Sequence, residues 1–346
     1  MIKVGIIGYG YWGPNLVRNF FAASNCEVKS VADPRKERLQ HLAKTYPTIR
    51  GGVQADEIIL DPTIDAVVIA TPVSTHFALA KKALNEGKHV LLEKPMTSSI
   101  KEAETLIELA EQKNLILMVD HTYLYTGAVQ KMKALMDQNE LGELKYLDST
   151  RINLGLFQND INVLWDLAPH DISILSYLVD ETPYSVNARG ITHTNNGIEN
   201  IAYLTVNYSS GFIAHFNCSW TSPVKVRMML IGGDQKMILF NDLEPTEKIK
   251  VYDTGYSYSN DEEKNQLLVD YRTGDIFVPK IVTTEALLGM ANDFLKSIIK
   301  MEQPISSSRL GLEVVRILEA SSQSIKNQGK EIILESTQIH NTHAVL

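Results

Sequence analysis

The stretch Val4-Gly-Ile-Ile-Gly8-Tyr9-Gly10-Tyr11-Trp12-Gly13-Pro14 decides how this 346-residue chain is read. An apolar run ends in glycines spaced G-x-G-x-x-G, and Leu16, Val17 and Phe20 follow at helical spacing. Strand, glycine turn and helix start together form a cradle for the pyrophosphate of a dinucleotide. Gly8 allows the tight turn, Gly10 lets the main chain approach the phosphates, and Gly13 lets helix and strand pack closely. Pro14 suits the first helical turn, where a missing N–H forfeits no helical bond. The helix start offers free N–H groups and a partial positive charge to an anion. The loop Gly8, Tyr9, Gly10, Tyr11, Trp12 and Gly13 is therefore the expected cofactor-binding segment. A G-x-G-x-x-G alone also marks ordinary turns, so the surrounding chain must carry the assignment.

It does. Glu27–Ala32 reads as a second strand and ends at Asp33, 20 positions after Gly13. That is the spacing of the acidic residue that accepts hydrogen bonds from the adenosine ribose diol. A carboxylate there repels a 2′-phosphate and favours NAD, while the nearby Arg35 leaves NADP open. The plain alternative is a strand-ending turn at Asp33-Pro34. Asp65–Ala70 is a buried-type strand closed by Thr71-Pro72, and Ser74 or Thr75 is placed to cap a helix over Phe77–Asn85. His89–Leu92 makes another strand before Glu93-Lys94-Pro95. Ser99–Lys113 is an amphipathic helix, and Leu115–Val119 is the last strand of the series. This alternation predicts a doubly wound parallel sheet, a Rossmann domain over residues 1–122, with its ligand beyond the strands' carboxyl ends. Thr71, Pro72, Glu93, Lys94 and His121 all fall at such ends or just past them.

From about Lys145 the texture changes to strand-like runs at Lys145–Asn153, Tyr184–Thr194, Ile201–Tyr208, Phe212–Trp220, Lys225–Ile231 and Lys236–Phe240. Ser209-Ser210-Gly211 and Gly232-Gly233-Asp234 are hairpin joints. Residues 123–346 are thus expected to form an α+β domain with a large open, mostly antiparallel sheet. Its helices are expected at Val129–Asp137, Asp171–Val179, Glu285–Lys300 and Leu312–Lys326. The polar stretch Asn260–Gly274 reads as an exposed loop, and the tail after Glu335 as poorly ordered.

Composition narrows the function classes. With 44% hydrophobic and 21% charged residues the chain has the balance of a soluble globular protein. A net charge of −8 without a basic block argues against a nucleic-acid partner. Cys26 and Cys218 are too far apart in sequence to suggest a disulfide framework or a metal knuckle. His76, His89, His121 and His193 lack metal-ligand spacing, so no metal is expected. No apolar run approaches the ~18 residues of a membrane span. Strand-like sequence from Ile2 leaves no room for a signal peptide, and a cytoplasmic location is expected.

Two places carry chemistry. Lys94, between an apolar strand and a proline at the mouth of the sheet, can stabilise the alkoxide that develops when hydride leaves carbon. The plain reading is a solvated lysine. In Asp166-Leu-Ala-Pro-His170-Asp171, helical spacing puts Asp166 and His170 on one face, where the carboxylate could orient the imidazole as a general acid/base. Pro169 is tolerated within a first turn, which predicts a helix starting near Asp166 or Ala168. An N-capping Asp and a structural His is the alternative. Tyr123, Tyr125, Arg151, Asn153, Asn162 and Trp165 could line a substrate cleft, the arginine by bidentate bonds and the aromatics by their faces.

Gly8-Tyr-Gly-Tyr-Trp-Gly-Pro-Asn15, Thr71-Pro-Val-Ser-Thr-His76, Glu93-Lys94-Pro95 and Trp165-Asp-Leu-Ala-Pro-His170-Asp171 together resemble the Gfo/Idh/MocA family of NAD(P)-dependent oxidoreductases. The resemblance covers nearly the whole chain and is nearest the nucleotide-sugar branch typified by UDP-N-acetylglucosaminuronate 3-dehydrogenases. It implies a catalytic trio of Lys94, Asp166 and His170, with Thr71, His76, Glu93 and Lys94 around the nicotinamide. It also implies a cis Lys94–Pro95 bond and a homodimer or homotetramer assembled through the open sheet. Asp120-His121-Thr122-Tyr123 stands where many relatives carry an Asn-Arg-Arg-type motif, which weighs against a free inositol or glucose dehydrogenase. The expected substrate is a sugar, in first place a nucleotide sugar oxidised at C3. A dehydrogenase of a free polyol or sugar such as inositol or glucose, an NAD-retaining hydrolase or lyase, and a sensing regulator on the same fold stay open as alternatives.

Overall fold

Apolar runs buried on both faces build the first sheet, as parallel strands covered by helices require. It comprises β1 (Ile2–Ile7), β2 (Cys26–Ala32), β3 (Arg50–Gly52), β4 (Ala66–Ile69), β5 (His89–Glu93) and β6 (Leu117–Asp120), all parallel in the order β3-β2-β1-β4-β5-β6. The strand order reverses between β1 and β4, and it is there that a crevice opens at the carboxyl ends. The helices α1 (Gly13–Ala22), α2 (Lys36–Thr45), α3 (Asp56–Ile59), α4 (Val73–Asn85) and α5 (Ile100–Gln112) alternate with these strands. The computed structural model describes residues 1–155, 157–257 and 270–334. The tail expected to be poorly ordered and the 260–269 part of the expected loop lie outside the described residues.

A 3₁₀ turn over Thr122–Tyr125 and α6 (Gly127–Asp137) lead into a sheet of nine strands. Its members are β7 (Leu144–Leu154), β8 (Ser185–Ile191), β9 (Ile201–Asn207), β10 (Ile213–Ser219), β11 (Thr221–Gly233), β12 (Met237–Asn241), β13 (Ile249–Ser257), β14 (Asp270–Phe277) and β15 (Ile332–Ile333). The order is β14-β13-β12-β11-β7-β10-β9-β8-β15, antiparallel throughout except for β7 against β10. Burial alternates along β9 and β10: Ala202, Leu204, Val206, Ala214, Phe216 and Cys218 face the core, while Tyr203 and Ile213 face outward. The inner face is covered by α7 (Val163–Leu178) and α9 (Ser308–Lys326), the latter preceded by α8 (Ala286–Lys300).

Four local expectations are corrected. Residues 270–274, expected in a loop, belong to β14, because pairing with β13 satisfies the main chain of a polar edge strand. Neither Ser74 nor Thr75 caps α4, which starts at Val73; the Thr75 hydroxyl instead donates back to the Pro72 carbonyl at 2.7 Å. The helix carrying Asp166 and His170 starts earlier than Asp166 or Ala168. The Asn162 side chain accepts from Trp165 N and sets the start at Val163, so Pro169 lies in the helix interior and deprives the Trp165 carbonyl of its usual donor. The expected helix over Leu312–Lys326 begins at Ser308, capped by the Ser307 hydroxyl.

The chain finally returns to the first sheet. Ser307 bridges Met118, and the Ser306 hydroxyl donates to the Val119 carbonyl at 2.6 Å. Gly311 packs so close that an added Cβ would lie 2.6 Å from a Val119 methyl. The elements after the second sheet thus brace β6, whose end carries Asp120 and His121.

Candidate active site

A groove of about 860 Å³ opens at the carboxyl ends of β1, β2 and β4, lined by Gly8, Gly10, Asp33, Thr71, Pro72 and Glu93 among others. Gly8 has φ +99°, and a Cβ there would lie 2.3 Å from the Ala70 carbonyl oxygen. A Cβ on Gly13 would meet the Gly8 carbonyl at the same distance. Helix α1 has no side-chain cap and no acid in its first turn, so the positive end of the helix is open to an anion. These features fit a dinucleotide pyrophosphate. Tyr11 and Trp12 line the groove, Tyr11 being largely exposed, whereas the Tyr9 side chain is core and its N–H donates to Asp33 Oδ2 at 2.8 Å.

Asp33 is buried, and both of its oxygens are engaged. Arg35 Nε donates to Oδ1 and Arg35 Nη2 to Oδ2, each at 2.9 Å, and the Arg35 N–H adds a further bond to Oδ1. The Arg35 side chain, more than any other cause, holds Asp33 down to about 2. The carboxylate is fixed in charge and place, and the guanidinium stands beside it where the adenosine ribose would lie.

The other end of the groove is more acidic than its sequence suggested. Parallel register sets Glu93 of β5 beside Asp120 of β6, and their carboxyl groups hydrogen-bond to each other. The Thr122 hydroxyl also donates to Asp120 Oδ1 at 2.5 Å. Burial, and then the Asp120 charge, push Glu93 well above the ordinary carboxyl range. His76 and His121 do not face the groove. His76 is buried, its ring nitrogens 2.8 Å from the Thr71 carbonyl and 3.0 Å from that of Pro95, so it ties the β4 and β5 ends together. His121 is fully buried with both ring nitrogens unpartnered, and burial holds it down to about 3. The Lys94–Pro95 bond is cis.

Lys94 crosses to the second sheet's helix. Its Nζ donates to the Asp166 carbonyl at 2.9 Å and lies 3.8 Å from Asp166 Oδ1. The Asp166 carboxylate does not orient His170. Its Oδ2 accepts from Trp220 Nε1 at 3.0 Å, and His170 Nδ1 is buried without a hydrogen-bond partner. His170 instead packs against Tyr123, the two rings tilted by 56° with centroids 5.0 Å apart. Burial first, then the charges of Lys94 and Arg151, drive His170 well below the ordinary histidine range, so it is neutral.

Around this pair, Arg151 is buried with Nε and Nη2 committed to Asp171, at 2.9 and 2.5 Å, and its Nη1 donating to the Tyr123 hydroxyl. Arg227 Nη1 also donates to that hydroxyl, at 2.9 Å, and lies 3.3 Å from Asp242 Oδ2. Tyr125 donates to Asp293 at 2.8 Å, remote from this network. Asn153 is half-buried on β7. Asn162 and Trp165 line a separate cavity of about 340 Å³, with Ser74 lining both it and the groove. Trp165 donates to the Ser322 hydroxyl, and the Asn162 amide donates to Glu199. Sequence reasoning passed over Asp120, Trp220, Asp171, Arg227 and Asp242. The Asp120-His121 step at a strand end was the one available signal; the rest depend on sheet register. Among the described residues no three His, Cys, Asp or Glu side chains converge as a metal set, and no helix is long and apolar enough to cross a membrane.

A Rossmann groove built for a dinucleotide, ending at a lysine and a neutral histidine, defines a nicotinamide-dependent oxidoreductase. Residues 2–121 match the oxidoreductase family with an NAD-binding Rossmann fold, and residues 129–238 match the Gfo/Idh/MocA C-terminal domain. The chain belongs to the Gfo/Idh/MocA family of sugar and polyol oxidoreductases. It is 30% identical over 239 residues to UDP-N-acetylglucosamine 3-dehydrogenase of Acidithiobacillus ferrooxidans, covering 66% of this chain and 71% of that one. It is 27% identical over 251 residues to the NAD⁺-dependent scyllo-inositol 2-dehydrogenase of Bacillus subtilis, covering 69% and 72%. A solved structure of the Acidithiobacillus enzyme superposes with TM-score 0.77 at 25% identity, over 94% of this chain and 99% of that one.

Proposed function

We propose that this protein oxidises a ring hydroxyl, at C3, of a nucleotide-linked sugar, with NAD as its cofactor. The observation that carries this reading is the Lys94–Asp166 bond, which gathers an ammonium and a neutral imidazole at the Glu93 end of the groove. The 3-dehydrogenase activity named for the Acidithiobacillus relative supports the choice of carbon and substrate class. Bound in the groove, NAD would supply the hydride acceptor. Lys94 polarises the substrate oxygen and stabilises its developing negative charge. His170 takes the hydroxyl proton. Asp166, anchored by Trp220, holds the Lys94 head group in place. Tyr123 braces the His170 ring while Arg151 and Arg227 fix the Tyr123 hydroxyl. Holding these groups before the reaction is the protein's principal contribution.

Residues 1–122 act in this reading as the cofactor unit and 123–346 as the substrate and assembly unit. The outward face of the second sheet, with Tyr203 and Ile213 exposed, would form a homodimer or homotetramer. The test is a cofactor-absorbance assay over nucleotide sugars and free polyols, with NAD and with NADP. Steady NAD reduction on a nucleotide sugar is expected. Turnover confined to inositol or another free polyol would move the substrate assignment, and cofactor binding with no net reduction would favour a hydrolase, lyase or regulator.

A further inference from the structure

We infer that Glu93 and Asp120 act as one device, a carboxyl pair holding a single shared proton and a single negative charge, which biases the groove toward the oxidised, positively charged nicotinamide. The inference rests on the proposed use of a nicotinamide cofactor and adds Asp120 as a positioning residue behind Glu93.

Parallel register sets the two acidic residues side by side at the strand ends, and a proton between them relieves their repulsion. Asp120 is 3% exposed and takes the Thr122 hydroxyl on Oδ1 as well as the Thr122 N–H. Those donors favour charge on Asp120 and leave the proton on Glu93, the member that lines the groove. Burial raises both groups, Glu93 the more strongly.

Among the surrounding groups only the Lys94 ammonium offsets part of that charge. The facing groups are Lys94, His121 and Tyr125. His121 is neutral and Tyr125 is held protonated by burial, so neither offsets it. Lys94 is the one cation among them, and its Nζ is turned to Asp166. Asp33 and the glycine turn mark the adenosine and pyrophosphate stretches of the groove, so Glu93 lies at the nicotinamide end. A fixed anion there attracts a ring that is positive when oxidised and neutral when reduced.

The test is the ratio of dissociation constants for NADH and NAD⁺, by fluorescence titration and competition, in wild type, Glu93→Gln, Asp120→Asn and the double variant. Each single variant retains one carboxylate, so the preference for NAD⁺ should stay within about twofold of wild type or rise. The double variant has none, and its preference should fall on the order of tenfold. A wild-type ratio in the double variant, or a single variant falling as far as the double, would overturn the inference. Infrared spectra provide a check that does not need the double variant to fold. Wild type at neutral pH should show a protonated-carboxyl band that Glu93→Gln removes, and its absence in wild type overturns the shared proton. If wild type binds neither NAD⁺ nor NADH, it is the cofactor reading that fails.

Discussion

The Lys94 ammonium donates to the main-chain carbonyl of Asp166 at 2.9 Å, a bond from the mouth of the parallel sheet to the helix beneath the second sheet. The two residues are 72 positions apart in sequence. This bond ties the part facing the cofactor groove to the helix that carries His170, the proposed proton acceptor. Each prediction below disturbs one element that holds this arrangement.

Trp220 fixes the Asp166 carboxylate through its indole N–H while buried at 1% exposure. Trp220→Phe keeps the apolar bulk and removes that donor. Turnover should fall roughly ten- to a hundredfold as Lys94 and Asp166 lose register, while NAD affinity stays at the wild-type value. Steady-state kinetics with a parallel cofactor titration measure both. Unchanged turnover would mean that Asp166 does not need this anchor.

Pro169 interrupts α7 immediately before His170. Pro169→Ala restores the N–H facing the Trp165 carbonyl and should raise unfolding stability by about 1 kcal/mol, part of the ~3 kcal/mol proline penalty being lost to the vacated ring volume. The restored main-chain bond shifts the backbone that carries His170 against Tyr123, so turnover should fall at least about tenfold. Denaturant midpoints and kinetics read the two effects, and a variant as active as wild type would show that the site does not depend on Pro169.

At the adenosine end, Asp33 and Arg35 are locked to each other. Asp33→Ala should weaken NAD binding on the order of tenfold, the loss of charge-assisted bonds to the ribose diol. Arg35→Ala removes the guanidinium from both Asp33 oxygens and leaves their main-chain bonds in place, so NAD affinity should hold or improve while NADP affinity falls by about tenfold or more. Fluorescence titration with both cofactors decides between them. A loss of NAD affinity in Arg35→Ala would assign the arginine to the NAD site itself.

Three histidines whose protonation is disfavoured in the fold make stability depend on pH. Burial holds His121 down to about 3 and also lowers His76 and His170. Each is neutral in the folded chain and takes up a proton once unfolded, below its ordinary value of 6.5. The unfolded state therefore binds more protons in that range, and stability falls as pH drops from about 6.5 toward 3. His121 alone should contribute about 1.4 kcal/mol per pH unit there. His121→Asn should flatten the fall in denaturant midpoint between about pH 6.5 and 5. A midpoint as pH-dependent as wild type would place the titration elsewhere.

The fold was legible because its signals are local. Gly8, Gly10, Gly13 and Asp33 announce the Rossmann crevice through spacing alone, and the outward–inward alternation of β9 and β10 announces the open sheet. What was not legible is set by register and long-range pairing. Glu93 meets Asp120 because two strands end level, and nothing near Trp220 in sequence points to Asp166. Pro169 misled in a specific way. Its usual place in a first turn placed the helix start too late, because the Asn162 cap upstream carries a weaker signal than a proline. Spacing also put Asp166 with His170, whereas the fold gives the carboxylate to Trp220 and Lys94.

The most direct test of the central claim uses a nucleotide sugar deuterated at ring C3, incubated with NAD and wild type, Lys94→Ala or His170→Ala. Wild type should transfer the deuterium to the nicotinamide C4 position, and each variant should bind NAD normally yet transfer it at least about 10²-fold more slowly. Unlabelled reduced cofactor, or full-rate transfer by both variants, would contradict the account.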